Sequence, residues 1–173
     1  MISEKIQKAF NDQLNAETHS AYLYWSMVAY FESISLPGFA AWMRAQVQEE
    51  MVHALKFFDT LNERGGRVLL KPLEGPATEW DSPLAAFEAA YKHEQYITGR
   101  INDLVKLARE ESDNASEIFL QWFVTEQVEE EDSVDKVVRQ LKLVGGEGGG
   151  LLLLDRELGQ RTFTPPPAKG QQP

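Results

Sequence analysis

The sequence predicts an all-α fold: a four-helix bundle with a long crossover between its second and third helices and a short fifth helix near the carboxyl end. Three observations predict it. Proline and glycine concentrate at Pro37-Gly38, residues 65–83, residues 145–150 and from Pro165 onward, and the stretches between them are long and rich in helix formers. Each long stretch carries an apolar seam whose spacings alternate between three and four. One connection, residues 66–81, greatly exceeds the ~2–8 residues that join neighbouring helices of a bundle.

The first helix is expected over residues 4–33, with the seam Phe10, Leu14, Glu17, Ala21, Tyr24, Val28 and Phe31. The second opens at Pro37, a residue suited to the first turn because its missing N–H would find no helical partner there, and runs over 37–64. Its seam is Phe39, Met43, Gln46, Glu50, His53, Phe57. The third opens at Pro83 after Ser82 and covers 83–111 with Phe87, Tyr91, Glu94, Ile97, Ile101 and Leu104. The fourth covers 115–143 with Leu120, Phe123, Gln127, Glu130, Val134, Val137 and Leu141. Each long helix should measure roughly 42 Å, and the 66–81 segment, fully extended, reaches roughly 53–58 Å. That reach is enough to travel the bundle's length, which makes helices two and three parallel.

Residues 1–145 therefore form the bundle. A glycine-rich hinge at 145–150 leads to a fifth helix over 151–159, within a segment assigned to 146–160. Its apolar run, Leu151–Leu154, is too short to build a core and should bury against partners. Residues 161–173, with PPPAKGQQP at their end, read as a disordered tail.

Composition narrows the function. Asp and Glu number 27 against 17 Lys and Arg, a net charge of −10, which argues against a nucleic-acid or anionic-membrane partner. There is no cysteine, so disulfides, thiolate metal sites and cysteine nucleophiles are excluded, and any metal must be held by carboxylates, His or amides. No apolar run approaches the ~18 residues that span a bilayer, and the first ten residues lack a secretory pattern. A soluble, cytoplasmic protein is the expectation.

The seams are interrupted at matching depth. Glu17 lies about 16 residues before the end of its helix and Glu50 about 13 after the start of an antiparallel neighbour, so the two can meet near mid-bundle. Glu50 and His53 share a face, as do Gln127 and Glu130, and Glu94 supplies the acid of helix three. Several carboxylates sharing a low-dielectric core cost several kcal/mol each unless a cation joins them. No Lys or Arg stands at these seam positions, so the cation is expected to be a metal. Glu50-x-x-His53 is the helical pair found in di-iron and di-manganese bundles.

The segments NDQLNAETHSAYLYWSM, QEEMVHALKF and VTEQVEEE are similar to those of the bacterial non-haem ferritins, and the resemblance extends over residues 4–159. It implies that Glu17, Glu50 and His53 ligate one ferroxidase iron and that Glu94, the shared Glu50 and Glu130 ligate a second, with Gln127 beside them. Tyr24 resembles the tyrosine that hydrogen-bonds this site and can donate an electron. Glu49, Glu126 and Glu129, with Glu130, resemble a third iron site towards a cavity. The fifth helix resembles one that packs around the four-fold axis of a twenty-four-subunit hollow shell. His19 and His93 lie off the seam and are expected at the surface, and Trp122 is expected to pack beside Phe123.

The resemblance implies iron storage and detoxification, with Fe²⁺ oxidised by O₂ or H₂O₂ and ferric oxyhydroxide deposited inside the shell. Iron is the metal implied, and no haem is expected. A haem-containing bacterioferritin-like protein, or a di-iron oxygenase, would carry a second Glu-x-x-His on helix four, where Gln127 and Glu130 stand instead. Met51 occupies the place of the bacterioferritin haem ligand but also occurs in non-haem relatives. A rubrerythrin-like peroxidase would require cysteines. A structural bundle whose buried acids face water at an interface is the alternative from another class.

Overall fold

The computed structural model describes residues 1–145 and 148–165, and these form five helices: α1 (Glu4–Ser33), α2 (Pro37–Glu63), α3 (Pro83–Glu110), α4 (Asn114–Val144) and α5 (Gly148–Leu158). Residues 146 and 147 of the expected hinge and 166–173 of the expected tail lie outside the described residues. The four long helices lie within a residue of the expected bounds, whereas α5 starts three residues earlier because Gly148–Gly150 already follow its first turn. Side-chain caps begin three of them. Ser3 accepts from the Ile6 N–H at 3.3 Å, Ser82 from Ala85 at 3.1 Å and Asp113 from Ser116 at 3.1 Å. α4 ends on Gly145, whose φ of 76° is the left-handed conformation glycine adopts without a Cβ clash.

α1 and α2 form one antiparallel hairpin and α3 and α4 another, with α1 packed against α3. Contacts of the crossover trace its path. Asn11, early in α1, donates to the Arg67 carbonyl at 3.0 Å and accepts from the Leu69 N–H at 2.6 Å. Farther along, Ser26 donates to the Ala77 carbonyl at 2.6 Å, and Trp80 packs edge-on against Tyr30 with ring centres 5.3 Å apart. The segment thus runs beside α1 from its beginning to its end. That path delivers α3 parallel to α2, as the length of the connection predicts.

α2 cannot cap itself. Leu36 has no side-chain acceptor and Pro37 no N–H, so the first free donors are the buried N–H groups of Gly38 and Phe39. Both donate to Asp155 Oδ1, at 2.8 and 3.0 Å, from within α5. The close approach requires Gly38, because a Cβ there would lie 1.6 Å from the Asp155 carbonyl oxygen. Leu154 and Leu158 join the bundle core, while Leu152 and Leu153 remain exposed. The fifth helix therefore docks one face on its own chain and leaves another face uncovered, which refines the expectation that its leucines bury against partners.

The apolar core comes in two pieces. One gathers Phe31, Phe39, Met43 and Phe87 with the α5 leucines, and the other gathers Phe10, Phe57, Ile97 and Phe123. Between them lies a layer of buried polar side chains contributed by all four long helices.

Replacing Asp155 with Ala should strand two buried donors at a helix N-terminus and cost about 2–3 kcal/mol. Thermal or denaturant unfolding of D155A checks this, with Asp155→Asn expected to recover part of the loss.

Candidate metal centre

Each member of the polar layer sits where its helix seam faces the core. Glu17, Tyr24, Glu50, His53, Glu94, Gln127 and Glu130 are all buried, none more than 4% exposed. The periodicity that hides an apolar residue at these positions hides an acid equally well.

Three atoms in this layer have no hydrogen-bond partner: Glu17 Oε2, Glu50 Oε2 and His53 Nδ1. They face one another. His53 Nδ1 lies 3.4 Å from Glu50 Oε2 and 4.0 Å from Glu17 Oε2, and the three side chains offer ligand atoms that all lie within 4.8 Å of each other. Buried polar atoms are almost always paired, so an unpaired trio facing one point forms a group that could hold a metal ion. Two carboxylates and an imidazole suit a divalent transition metal.

The other oxygens are held. Glu17 Oε1 accepts from Gln13 Nε2 at 2.8 Å, and Gln13 Oε1 in turn accepts from Arg100 at 2.8 Å. Gln46 Nε2 donates to Glu130 Oε2 at 2.6 Å and to Glu50 Oε1 at 3.3 Å, while its Oε1 accepts from Arg161 at 2.9 Å. In both chains an arginine fixes which end of an amide faces the carboxylates. Gln13, Gln46, Arg100 and Arg161 were not singled out from sequence. Gln46 at least stands in the α2 seam, two turns before His53.

Glu94 is tied on both sides. Tyr24 donates its hydroxyl to Glu94 Oε1, and Gln127 Nε2 lies 3.3 Å from Glu94 Oε2. Glu50, Glu94 and Glu130 do not form a second tight ligand group. Among the described residues, the second such group is His53, Glu126 and Glu130, with His53 Nε2 3.9 Å from Glu126 Oε1. The imidazole therefore stands between the buried trio and an acid that reaches the surface. Glu49, Glu126, Glu129 and Glu130 line one open groove of about 760 Å³ together with Trp42 and Arg161.

His93 is not the surface residue expected. It is half-buried, 2.7 Å from the Ser20 hydroxyl and edge-on to Tyr24 with ring centres 6.2 Å apart. The small Ser20 on α1 leaves room for it where α1 packs on α3. Burial and the neighbouring His19 lower its pKa to about 4, so it is neutral at physiological pH. His19 is itself only half-exposed. Trp122 packs as expected, edge-on to Phe123, and also to His53. Arg161, assigned to the tail from sequence, is instead held against the bundle by Glu49, Gln46 and the Trp42 ring.

Electrostatics agree with geometry. Burial, then the charge of Glu50, raises Glu17 to about 8, and burial, then the charge of Glu94, raises Glu130 to about 8. Glu50 and Glu94 are pushed well above the ordinary carboxylate range, by burial first and by neighbouring carboxylates next. Burial and the adjacent Glu94 likewise hold Tyr24 as a phenol, a donor to its carboxylate.

The ferritin-like domain family model matches residues 7–144. The chain belongs to that family. It is 42% identical to a protein of Bacteroides fragilis named bacterial non-heme ferritin, over 93% of this chain and 100% of the relative, and 36% identical to the Staphylococcus aureus protein of that name, over 94% and 98%. Its structure also superposes on an Archaeoglobus fulgidus ferritin described as open-pore, with a TM-score of 0.92 and 56% identity over 94% of this chain and all of that one. An engineered closed form of the A. fulgidus protein gives a TM-score of 0.93 at 56% identity, over 95% and 100%. In this ferritin-family chain, Glu17, Glu50 and His53 form one of two groups among the described residues that could hold a metal ion. No helix among the described residues is long and apolar enough to cross a membrane.

The raised carboxylates set a pH dependence. The folded, metal-free chain keeps protons that an unfolded chain loses near 4.5, so this stability is complete below that pH and fades as pH climbs to about 8. The metal-free protein should melt at least ~5 °C lower at pH 8.5 than at pH 5.5. Divalent metal should reverse that trend and release more than one proton per ion at pH 7, which differential scanning calorimetry and a pH-stat would read.

Proposed function

We propose that this protein stores and detoxifies iron, oxidising Fe²⁺ to Fe³⁺ with O₂ or H₂O₂ at a paired site inside each subunit and depositing ferric oxyhydroxide within a hollow shell of twenty-four subunits. The observation that carries this reading is the mutual facing of the three unpartnered atoms of Glu17, Glu50 and His53. Iron is the substrate here and passes through. The donor set favours that use: hard carboxylate oxygens prefer Fe³⁺ to Fe²⁺, and a single imidazole leaves the product releasable.

Glu17, Glu50 and His53 bind the first iron. Glu50, with Glu94 and Glu130, serves the second, which requires Glu94 Oε2 to leave Gln127 and Glu130 to turn from Gln46, while Glu94 Oε1 keeps its hydrogen bond from Tyr24. Each iron gives up one electron, and two irons side by side supply the pair that reduces O₂ to H₂O₂ or H₂O₂ to water. The protons displaced from Glu17 and Glu130 on loading leave both as anions, matched to the higher charge of the product. Tyr24, held as a phenol against Glu94, orients that carboxylate and is placed to supply a further electron. Glu49, Glu126 and Glu129 with Glu130 take the ion next, as a third site on the groove, and His53 stands on the way. The net charge of −10, repeated around a closed shell, would concentrate Fe²⁺ and seed mineral. The exposed leucines of α5 offer an apolar face for assembly, and a cytoplasmic setting suits the absence of cysteine.

Anaerobic Fe²⁺ titration, then O₂ with ferric absorbance and a sizing column, tests the proposal. Two or three irons per chain, rapid oxidation and iron eluting with a large particle are expected, whereas a small species that leaves iron insoluble would refute storage. Glu50→Ala should slow the rapid phase by at least ~100-fold, and full rate in that variant would sink the site assignment. Tyr24→Phe should bind the same number of ions yet oxidise them roughly tenfold more slowly.

A further inference from the structure

Arg161 lines the groove, as Arg139 does, and it is held from three sides. Its Nη2 donates to Glu49 Oε2 at 2.5 Å, its Nη1 donates to Gln46 Oε1 at 2.9 Å, and its guanidinium carbon lies 4.1 Å from the centre of the Trp42 ring. The docking of α5 sets this position, since Asp155 clamps α5 to the start of α2 and Arg161 follows three residues after Leu158. Farther on, Phe163 and Thr164 line a cavity of about 210 Å³ with Glu49, His53, Trp122 and Glu126. The end of the described chain therefore lies across the groove side of the imidazole.

A guanidinium stays charged at every physiological pH, and its fork holds a carboxylate and an amide oxygen at once. Glu49 is thus already paired with a cationic side chain, whereas the facing atoms of the buried trio have no hydrogen-bond partner. A metal ion binding Glu49 competes with the guanidinium for the carboxylate's charge and for Oε2. The same guanidinium also turns Gln46 so that its Nε2 faces Glu130 and Glu50, linking the groove acid to the buried carboxylates through one amide.

We propose that Arg161 is a displaceable counter-cation of Glu49, which keeps the groove site weak so that an ion leaving the buried pair is passed on and not retained. This rests on the groove acids acting as the third iron site proposed above. Its counterpart in the other amide chain, Arg100, holds Gln13 and no groove acid, so the competition is particular to Arg161.

Titration calorimetry of the assembled protein with Co²⁺, a divalent probe that O₂ leaves unchanged under these conditions, tests the proposal. In Arg161→Gln the weakest ion should tighten at least tenfold, opposite in direction to any loosening of the tighter ions that release of Gln46 brings. Arg161→Lys, which keeps the charge but loses the fork, should fall between this variant and the parent. Adding Glu49→Gln to Arg161→Gln should abolish the gain. Equal affinity for the weakest ion in the parent and in Arg161→Gln would overturn the counter-cation role and leave the groove site standing. The absence of any groove ion from parent and variants alike would overturn the groove site itself, and this proposal with it. Were Arg161 only a strut, Arg161→Gln would lower the melting temperature without tightening any ion, which also overturns the proposal.

Discussion

Four glutamates and a histidine share one buried layer of a helical bundle, and among the described residues no lysine or arginine enters it to balance them. In so low a dielectric the acids cannot all be charged without a cation, and the metal-free fold answers by holding protons on them. The rest of the structure is arranged around that constraint. Apolar clusters close the bundle above and below, so the layer is fixed in depth. Amides supplied by Gln13, Gln46 and Gln127 hold one oxygen of each acid, and the second oxygens of Glu17 and Glu50 face His53. Two arginines at the periphery then fix the amides. The site is rigid in its support and unsatisfied at its centre, a combination suited to an ion that arrives and departs.

Topology gives the layer its four sides. The short α1–α2 and α3–α4 turns build two antiparallel pairs, and the crossover, pinned to α1 by Asn11 at one end and Tyr30 at the other, sets the second pair parallel in the sense that brings Glu94 and Glu130 to the depth of Glu17 and Glu50. α5 then closes the start of α2 with Asp155 and carries the chain back to the groove beside His53. Stability and function meet in this last element, because the contact that completes a helix terminus also delivers Arg161 to Glu49.

Much of this was legible along the chain. Heptad spacing located the helices almost to the residue, and each acid was visible as an interruption of its own seam, because helical periodicity carries burial directly. Contacts joining residues far apart in sequence were not legible. Nothing in the tail's composition marks Arg161 as a partner of Glu49, since the pairing depends on where α5 docks, and that depends on Asp155 finding two donors that Leu36 and Pro37 leave unserved. His93 looked superficial because it lies one position off the seam, but the narrow contact between α1 and α3 at Ser20 encloses it. Seam logic also treated all the acids alike. It could not tell that Glu94 would be taken by Tyr24 and Gln127 while Glu130 turned towards Gln46 and the groove.

The central claim is that the unpaired atoms of Glu17, Glu50 and His53 are the seat of a metal ion. Anomalous diffraction at the iron edge, on crystals of the protein soaked anaerobically with Fe²⁺, tests it most directly. The account predicts a strong peak bonded at once to Glu17 Oε2, Glu50 Oε2 and His53 Nδ1. Iron found only on the exposed acids, with those three atoms still facing one another and unbridged, would contradict it.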